Sequence, residues 1–192
     1  MAHTSPLSSV RIIGGKWRRR RLYFPVLPGL RPTHDRIRET VFNWLIPYLE
    51  GASCLDLFAG SGALGFEALS RGAKQVTLVD NTPQLVQALK KNAASLNASP
   101  IEIVQAQCPT HVPPLQFSPF DIVFLDPPFH QGLVLPAIQW LQQQAYLVDL
   151  ALVYVETEQG ADPPLPSHWQ CLRAQKTASL TYSLWQSQTS KN

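Results

Sequence analysis

The feature that most restricts the fold of this chain is a regular alternation of β-favouring and helical segments that begins at residue 53. The β-favouring segments are 53–58, 75–80, 101–105, 121–125 and 150–156. Helical segments are predicted between them at 62–71, 83–96 and 132–145. Strands connected through helices pair in parallel by right-handed crossovers. The sequence therefore predicts an α/β fold with a mostly parallel sheet and helices on both of its faces.

The C-terminal part departs from this alternation. Segments 169–174 and 179–185 are both β-favouring, and no helical segment separates them. We expect them to form an antiparallel hairpin at the edge of the sheet, which brings the total to seven strands.

The N-terminal part is basic and has its own pattern. Segments 10–13 and 22–24 are short and β-favouring, and they flank four consecutive arginines. We expect a basic hairpin or extended arm over residues 1–30, followed by one domain over residues 31–192 that opens on a helix capped by Thr33.

The charges of the chain are divided unevenly. The first 40 residues hold nine Lys and Arg against Asp35 and Glu39, so they carry +7, whereas the formal charge of the whole chain is +3. The other 152 residues therefore carry −4. A basic segment on a slightly acidic body predicts contact with a polyanion. Four consecutive arginines beside Lys16 and Trp17 suit an RNA backbone and an unpaired base.

Other classes of protein and site are disfavoured. No apolar run reaches the ~18 residues of a membrane-spanning helix, and the first 30 residues lack the apolar core of a signal peptide. We therefore expect a cytoplasmic protein that does not bind membranes. The three cysteines and five histidines are scattered, which predicts that no metal is bound.

The first predicted strand runs into a glycine-rich loop. Residues 58–65 read Phe-Ala-Gly-Ser-Gly-Ala-Leu-Gly, which contains the GxGxxG spacing of dinucleotide sites. Asp56 lies inside this strand, where a carboxylate is costly unless a donor or cation pairs with it. Asp80 ends the next strand, where an acid can accept hydrogen bonds from ribose hydroxyls. A ligand with both an amine and a ribose fits these acids, and S-adenosylmethionine carries both.

The fourth predicted strand delivers Asp126-Pro-Pro-Phe129 to the edge of the sheet where ligands bind. The prolines remove two N–H donors, so the loop offers acceptors. The Asp126 carboxylate and the Pro127 carbonyl can hold an exocyclic amine, while Phe129 supplies a ring face for a base. Asp126, Pro127, Pro128 and Phe129 are therefore the predicted catalytic segment for methylation of a base amine. Such a base must leave its stack to enter the pocket.

These motifs resemble those of class I S-adenosylmethionine-dependent methyltransferases that modify amino nitrogens. Together with Arg11-Ile-Ile-Gly-Gly15, Arg31-Pro-Thr33, Asp35-Arg-Ile-Arg-Glu39, Phe42-Asn-Trp44 and Tyr154-Val-Glu156, they resemble the bacterial RsmD family over residues 10–186. The resemblance implies a Rossmann-like methyltransferase fold and transfer of methyl to N2 of a specific guanine in 16S rRNA, of the guanine-966 type. It also implies a monomer that acts on this RNA within a small-subunit particle or an assembly intermediate.

The resemblance implies roles for individual residues. The cofactor would contact Asp56, Phe58, Gly60, Ser61, Gly62, Asp80, Gln107 and Cys108. Members of the family often have Asp or Asn where this chain has Gln107, so the contact to the adenine amine falls to Gln107 or to a backbone amide. The RNA would contact Lys16, Trp17, Arg18, Arg19, Arg20, Arg21, Arg31, Thr33, Arg36 and Arg38.

Three other functions stay open at this point. A DNA adenine-N6 methyltransferase could use the same proline loop, although the chain offers no sizeable target-recognition domain. A nucleotide-binding oxidoreductase would fit the GxGxxG spacing, but it would leave Asp126-Pro-Pro-Phe129 without a role. A non-catalytic RNA-binding protein would not need that segment intact.

Overall fold

A computed structural model describes residues 6–28, 30, 34–161 and 163–188 of the chain. The elements after residue 50 are β3 (Ser53–Asp56), α2 (Ala63–Ser70), β4 (Gln75–Asp80), α3 (Pro83–Leu96), β5 (Ile101–Gln105), β6 (Phe120–Leu125), α4 (Val134–Gln143), β7 (Leu147–Glu158), β8 (Gln170–Lys176) and β9 (Leu180–Gln186). These strands form one seven-stranded sheet in the order β5-β4-β3-β6-β7-β9-β8. The five strands from β5 to β7 are parallel, and β9 is antiparallel to both of its neighbours. The predicted sheet and its C-terminal hairpin are confirmed.

Four elements of the described chain precede the sheet. Strands β1 (Leu7–Arg11) and β2 (Arg21–Pro25) pair as an antiparallel hairpin, with a short 3-10 helix at Gly15–Trp17 between them. Helix α1 follows at Asp35–Leu49. The Thr33 cap predicted for this helix lies outside the described residues.

Two hydrophobic layers cover the faces of the sheet. One layer holds the buried side chains of the hairpin and of α1, α2 and α3. The other layer holds those of α4 and of the segment between β5 and β6. The hairpin therefore packs on the body of the protein instead of extending away from it. A pair of hydrogen bonds fixes it to α3, because the Asn92 amide accepts from the Tyr23 N–H at 3.1 Å and donates to the Tyr23 carbonyl at 2.9 Å.

Strand β7 is longer than the 150–156 predicted from the sequence. It begins at Leu147, which pairs with Phe120, and the register then shifts before Ile122 pairs with Leu152. Leu150 lies within this irregularity at a φ of 61°. A break in the apolar pattern at the irregularity explains why the sequence predicts a later start.

Within the described ranges, no helix is both long and apolar enough to cross a membrane.

Candidate active site

The glycine loop turns the chain from β3 into α2 and is held to the end of β4. Gly60 and Gly62 have φ angles of 52° and 78°, which side chains rarely allow. The Gly60 N–H donates to Oδ2 of Asp80 at 2.8 Å. Oδ1 of the same carboxylate accepts the Thr82 N–H at 2.8 Å. Because each carboxylate oxygen can accept two hydrogen bonds, Asp80 keeps capacity for a ligand while it shapes the loop.

Asp56 is the buried acid of this site. Its exposure is 2%, and its Oδ2 accepts the Gly65 N–H at 3.0 Å. Burial raises the pKa of Asp56 to about 7 against the lowering effect of the Gly65 hydrogen bond, and the charges of Asp126 and Asp80 raise it further. A carboxyl in this state gains stability from a cation or an N–H donor placed beside it.

Gly65 is required by close packing of α2 on the sheet. A Cβ at this position would lie 2.2 Å from Cδ2 of Leu78 and 3.3 Å from Oδ2 of Asp56. The third glycine of the motif thus lets the helix start next to the Asp56 carboxylate, as in other glycine loops that bind nucleotides.

The proline segment leaves the sheet beside these acids. β6 lies next to β3, with Phe124 opposite Asp56, so Asp126 emerges two residues beyond that pair. Pro127 is buried, whereas Asp126 and Phe129 are half-buried. Asp80, Asp56 and Asp126 therefore stand at the carboxyl ends of three adjacent strands, β4, β3 and β6.

Glu156 extends this row to the next strand. Val155 of β7 pairs with Leu125 of β6, so Glu156 lies beside Asp126. Its exposure is 4%, and its Oε2 accepts the Tyr154 hydroxyl at 2.7 Å. Burial raises the pKa of Glu156 to about 8, with the Asp126 charge acting in the same direction and the Tyr154 hydrogen bond opposing it. A cavity of about 340 Å³ is lined by Glu156, Pro127 and Pro128 together with residues of the following loop.

The other residues predicted to bind a cofactor differ in how deeply they are buried. Ser61 is buried within it, and Phe58 is half-buried against the second hydrophobic layer. Gln107 has an exposed side chain, and its carbonyl accepts the His111 N–H at 2.9 Å. Burial and the charge of Asp80 raise the pKa of the half-buried Cys108 thiol to about 12, which places this residue within electrostatic reach of Asp80.

The basic hairpin presents most of its predicted cations to solvent. Lys16 and the four arginines Arg18, Arg19, Arg20 and Arg21 are exposed. Arg20 donates to the Ser95 carbonyl near the end of α3 at 3.0 Å, and Arg21 donates to the Ser9 hydroxyl at 2.9 Å. The first bond holds Arg20 against the body, and the second holds Arg21 against β1 of the hairpin, which leaves a basic surface.

Trp17 and Arg38 are corrections to the predicted RNA-contacting set, because both side chains are buried. Trp17 is 9% exposed, lies under the Lys16 ammonium and donates its backbone N–H to the Ser70 hydroxyl at 2.9 Å. Arg38 is fully buried and pairs with Asp35 at 2.6 Å and with Glu67 at 3.6 Å. Neither side chain can reach a ligand outside, so both stabilise the contact between the hairpin and the body.

Three other predicted RNA contacts remain. Arg36 is exposed on α1 and can meet a ligand. Arg31 and Thr33 lie outside the described residues.

The sequence analysis missed one aromatic residue of the basic surface, Tyr23. Its side chain is 52% exposed on β2, while its backbone is fixed by Asn92. The alternation along β2, where Leu22 and Phe24 are buried and Arg21 and Tyr23 are exposed, is the signal that identifies it.

Among the residues that the structure describes, no cluster of His, Cys, Asp and Glu has a geometry that could hold a metal ion.

Known proteins resemble this chain over nearly its whole length. The family model described as Conserved hypothetical protein 95 matches residues 10–186. Ribosomal RNA small subunit methyltransferase D of Escherichia coli (strain K12) is 46% identical over 178 residues, which are 92% of this chain and 89% of that protein. The solved structure of yhhF from Escherichia coli is 44% identical, with a TM-score of 0.82 over 94% of this chain and 99% of that one.

A more distant solved structure shares the fold. The T. thermophilus 16S rRNA N2 methyltransferase RsmC, in complex with AdoMet and guanosine, is 22% identical. It matches with a TM-score of 0.63 over 95% of this chain and 50% of that one. The predicted Rossmann-like methyltransferase fold is confirmed by these structures.

Proposed function

Because this chain belongs to the family described as Conserved hypothetical protein 95, the RsmD family, we propose that it methylates N2 of a guanine in 16S rRNA. The relative from Escherichia coli is named for the RNA of the small ribosomal subunit, which supports this RNA as the substrate. The predicted family is confirmed, and the finer identity of the base is the content of the proposal.

One observation carries the proposal. Three carboxylates, those of Asp80, Asp56 and Asp126, stand at the carboxyl ends of three adjacent parallel strands around a glycine loop. This edge of an open α/β sheet is where ligands bind. The first two acids suit a cofactor, and the third belongs to a proline segment that suits a base amine.

S-adenosylmethionine fits the first part of this site. Asp56 is a buried carboxyl with a raised pKa, so a cationic amine beside it stabilises the ionised form. Asp80 has acceptor capacity for the ribose hydroxyls, and the positive φ angles of Gly60 and Gly62 allow close approach of the backbone. When bound, S-adenosylmethionine would supply a methyl group from its sulfonium, and the bond from this methyl to the base nitrogen would form as the carbon–sulfur bond breaks.

The proline segment positions and deprotonates the base amine. The Asp126 carboxylate and the Pro127 carbonyl accept the two N–H bonds of the amine, which directs its lone pair toward the methyl group. An Asp126 oxygen takes the proton that the nitrogen loses when it forms its new bond. The half-buried ring of Phe129 stacks on the base.

The RNA strand lies on the basic surface of the hairpin and on α1. Lys16, Arg18, Arg19 and Arg21 pair with phosphates, and Arg36 extends this surface. The protein works as a monomer in the cytoplasm on a small-subunit particle or an assembly intermediate, and its target is of the guanine-966 type.

Transfer of labelled methyl tests this function. S-adenosylmethionine with a labelled methyl group is incubated with the protein and with 16S rRNA or small-subunit particles from cells that lack the activity. The methylated nucleosides are then identified by mass spectrometry. We expect N2-methylguanosine at a single position of the RNA. In a parallel reaction with DNA, formation of N6-methyl-2′-deoxyadenosine without transfer to RNA would support the adenine alternative. No transfer to either RNA substrate would refute the proposal.

Two variants separate the roles of the acids in this assay. Asp126→Ala should lower turnover by about 10²- to 10⁴-fold while binding of S-adenosylhomocysteine is kept. Asp80→Ala should mainly weaken binding of S-adenosylhomocysteine. Turnover by the Asp126 variant equal to that of the parent would contradict the role given to this carboxylate.

A further inference from the structure

Glu156 stands next to the proline segment and has no role in the mechanism above. It follows Val155, which pairs with Leu125, so the side chains of Glu156 and Asp126 leave neighbouring parallel strands side by side. Their charges interact, because the Asp126 charge raises the pKa of Glu156. The same carboxyl lines the cavity of about 340 Å³ that Pro127 and Pro128 also line.

The Glu156 carboxyl is held in one orientation with one oxygen available. Oε2 accepts the hydroxyl of the fully buried Tyr154 at 2.7 Å. Oε1 accepts no hydrogen bond from the part of the chain that the structure describes. This oxygen keeps some solvent exposure and faces the open space of the cavity. A ligand with an N–H donor in the cavity can bond to it.

Guanine has the donors that this pair of acids requires. Its N1–H and its N2 amine point in the same direction from one edge of the base, whereas adenine has a lone pair at N1. Two acceptor groups on adjacent strands therefore match N1–H and the N2 amine of one guanine. With Asp126 on the amine, Glu156 is the acceptor that remains for N1–H.

We propose that Glu156 accepts the hydrogen bond of guanine N1–H and thereby makes the site select guanine over bases that lack a proton at N1. This inference rests on the proposed function. Tyr154 is the positioning residue, because its hydroxyl fixes the orientation of the carboxyl group.

The test compares guanine with 2-aminopurine at the methylated position of the RNA. 2-Aminopurine keeps the amine at C2 but has a lone pair at N1, so it can meet Asp126 but cannot donate to Glu156. The parent, Glu156→Gln and Tyr154→Phe are compared by kcat/KM for both RNAs. Glu102→Gln is the matched control. Like Glu156, Glu102 accepts a hydroxyl hydrogen bond, from Thr77 at 2.8 Å, but it is half-buried and lies on the distant strand β5.

We expect Glu156→Gln to lower kcat/KM for the guanine RNA by about tenfold, in line with loss of one well-placed hydrogen bond in a buried site. Its preference for guanine over 2-aminopurine should narrow by at least about tenfold, since the glutamine amide can donate to the N1 lone pair. Tyr154→Phe should shift both quantities in the same direction by a smaller factor, and it provides the test if the glutamine variant does not fold. The Glu102 variant should match the parent.

The outcomes separate this inference from the proposed function. An unchanged preference for guanine in the Glu156 variant, or in Tyr154→Phe if that variant alone folds, would overturn the role of Glu156 while leaving the methyltransferase activity intact. A parent protein that transfers no methyl to 16S rRNA would overturn both.

Discussion

Replacing Asp56 with asparagine should stabilise the protein above neutral pH in the absence of cofactor and, at the same time, weaken cofactor binding. The Asp56 carboxyl is buried at the end of β3, where its Oδ2 accepts the Gly65 N–H at 3.0 Å. The asparagine side chain has the same shape and can accept the same hydrogen bond through its oxygen. It cannot ionise, so the change removes only the charge.

The size of the effect follows from the pKa of this carboxyl. Burial, together with the charges of Asp126 and Asp80, raises the pKa of Asp56 from 3.8 to about 7 in the folded chain. A carboxyl with a raised folded pKa contributes its full stability below the unfolded pKa and loses it as the pH rises through the folded pKa. Between pH 5 and pH 8 the parent therefore loses about 3 kcal/mol that the asparagine variant retains, at about 1.4 kcal/mol per pK unit.

Urea unfolding at pH 5, 6, 7 and 8 without cofactor measures this difference. The free energy of unfolding of the variant minus that of the parent should increase by about 3 kcal/mol across the series. Glu39→Gln, at an exposed position on α1, is the control for removal of a carboxylate that is not buried. A flat difference for the Asp56 variant would refute the argument that this carboxyl is destabilised by its surroundings.

The same variant should bind S-adenosylhomocysteine about 10- to 100-fold more weakly by calorimetry, because it loses a charge-assisted hydrogen bond to the ligand amine. Stabilisation at high pH with unchanged ligand affinity would keep the electrostatic argument and refute the assignment of the amine to Asp56.

Two further predictions concern the hairpin. Glu67 is fully buried and accepts hydrogen bonds from the N–H groups of Ile13 and Gly14, each at 2.7 Å, and from the Arg71 guanidinium at 2.6 Å. Glu67→Gln should therefore lower the free energy of unfolding, measured in urea, by about 3 kcal/mol. A loss no larger than that of the exposed-site variant Glu39→Gln would contradict a structural role for this carboxylate. Tyr23→Ala should raise the KM for RNA by about tenfold, because it removes a ring that stacks on a base. Tyr48→Ala removes an exposed tyrosine of α1 and should leave the KM unchanged. Equal effects of the two variants would argue against a specific contact at Tyr23.

The sheet and the row of acids could be predicted because their signals are local in the sequence. Strand periodicity placed the carboxyl end of each parallel strand, and residues that end such strands meet at one edge whatever the details of packing. Asp56, Asp80 and Asp126 were therefore identified together, and the structure places them on adjacent strands.

The roles of Trp17 and Arg38 could not be predicted because they depend on contacts between distant segments. Arg38 belongs to a sequence run rich in charge, and its burial depends on Glu67, which lies on another helix. Trp17 stands among exposed cations, and its burial depends on the docking of the hairpin onto α2, where it meets Ser70. A linear pattern of charge therefore indicates a basic surface but does not reveal which of its members point inward.

The arrangement of charge bears on how a positively charged protein could admit a nucleic-acid base to a cleft lined by carboxylates. Under the proposed function, the exposed hairpin cations would attract the phosphates of RNA. The edge of the sheet instead holds Asp56, Asp126 and Glu156, and the Asp126 charge raises the pKa of the other two. A phosphate in the cleft would be repelled by these carboxylates and would lose its hydration, while a neutral base with N–H donors would gain hydrogen bonds there. Under the proposed function, the two regions would separate the parts of a nucleotide, because the backbone would be favoured outside on the hairpin and the flipped base inside.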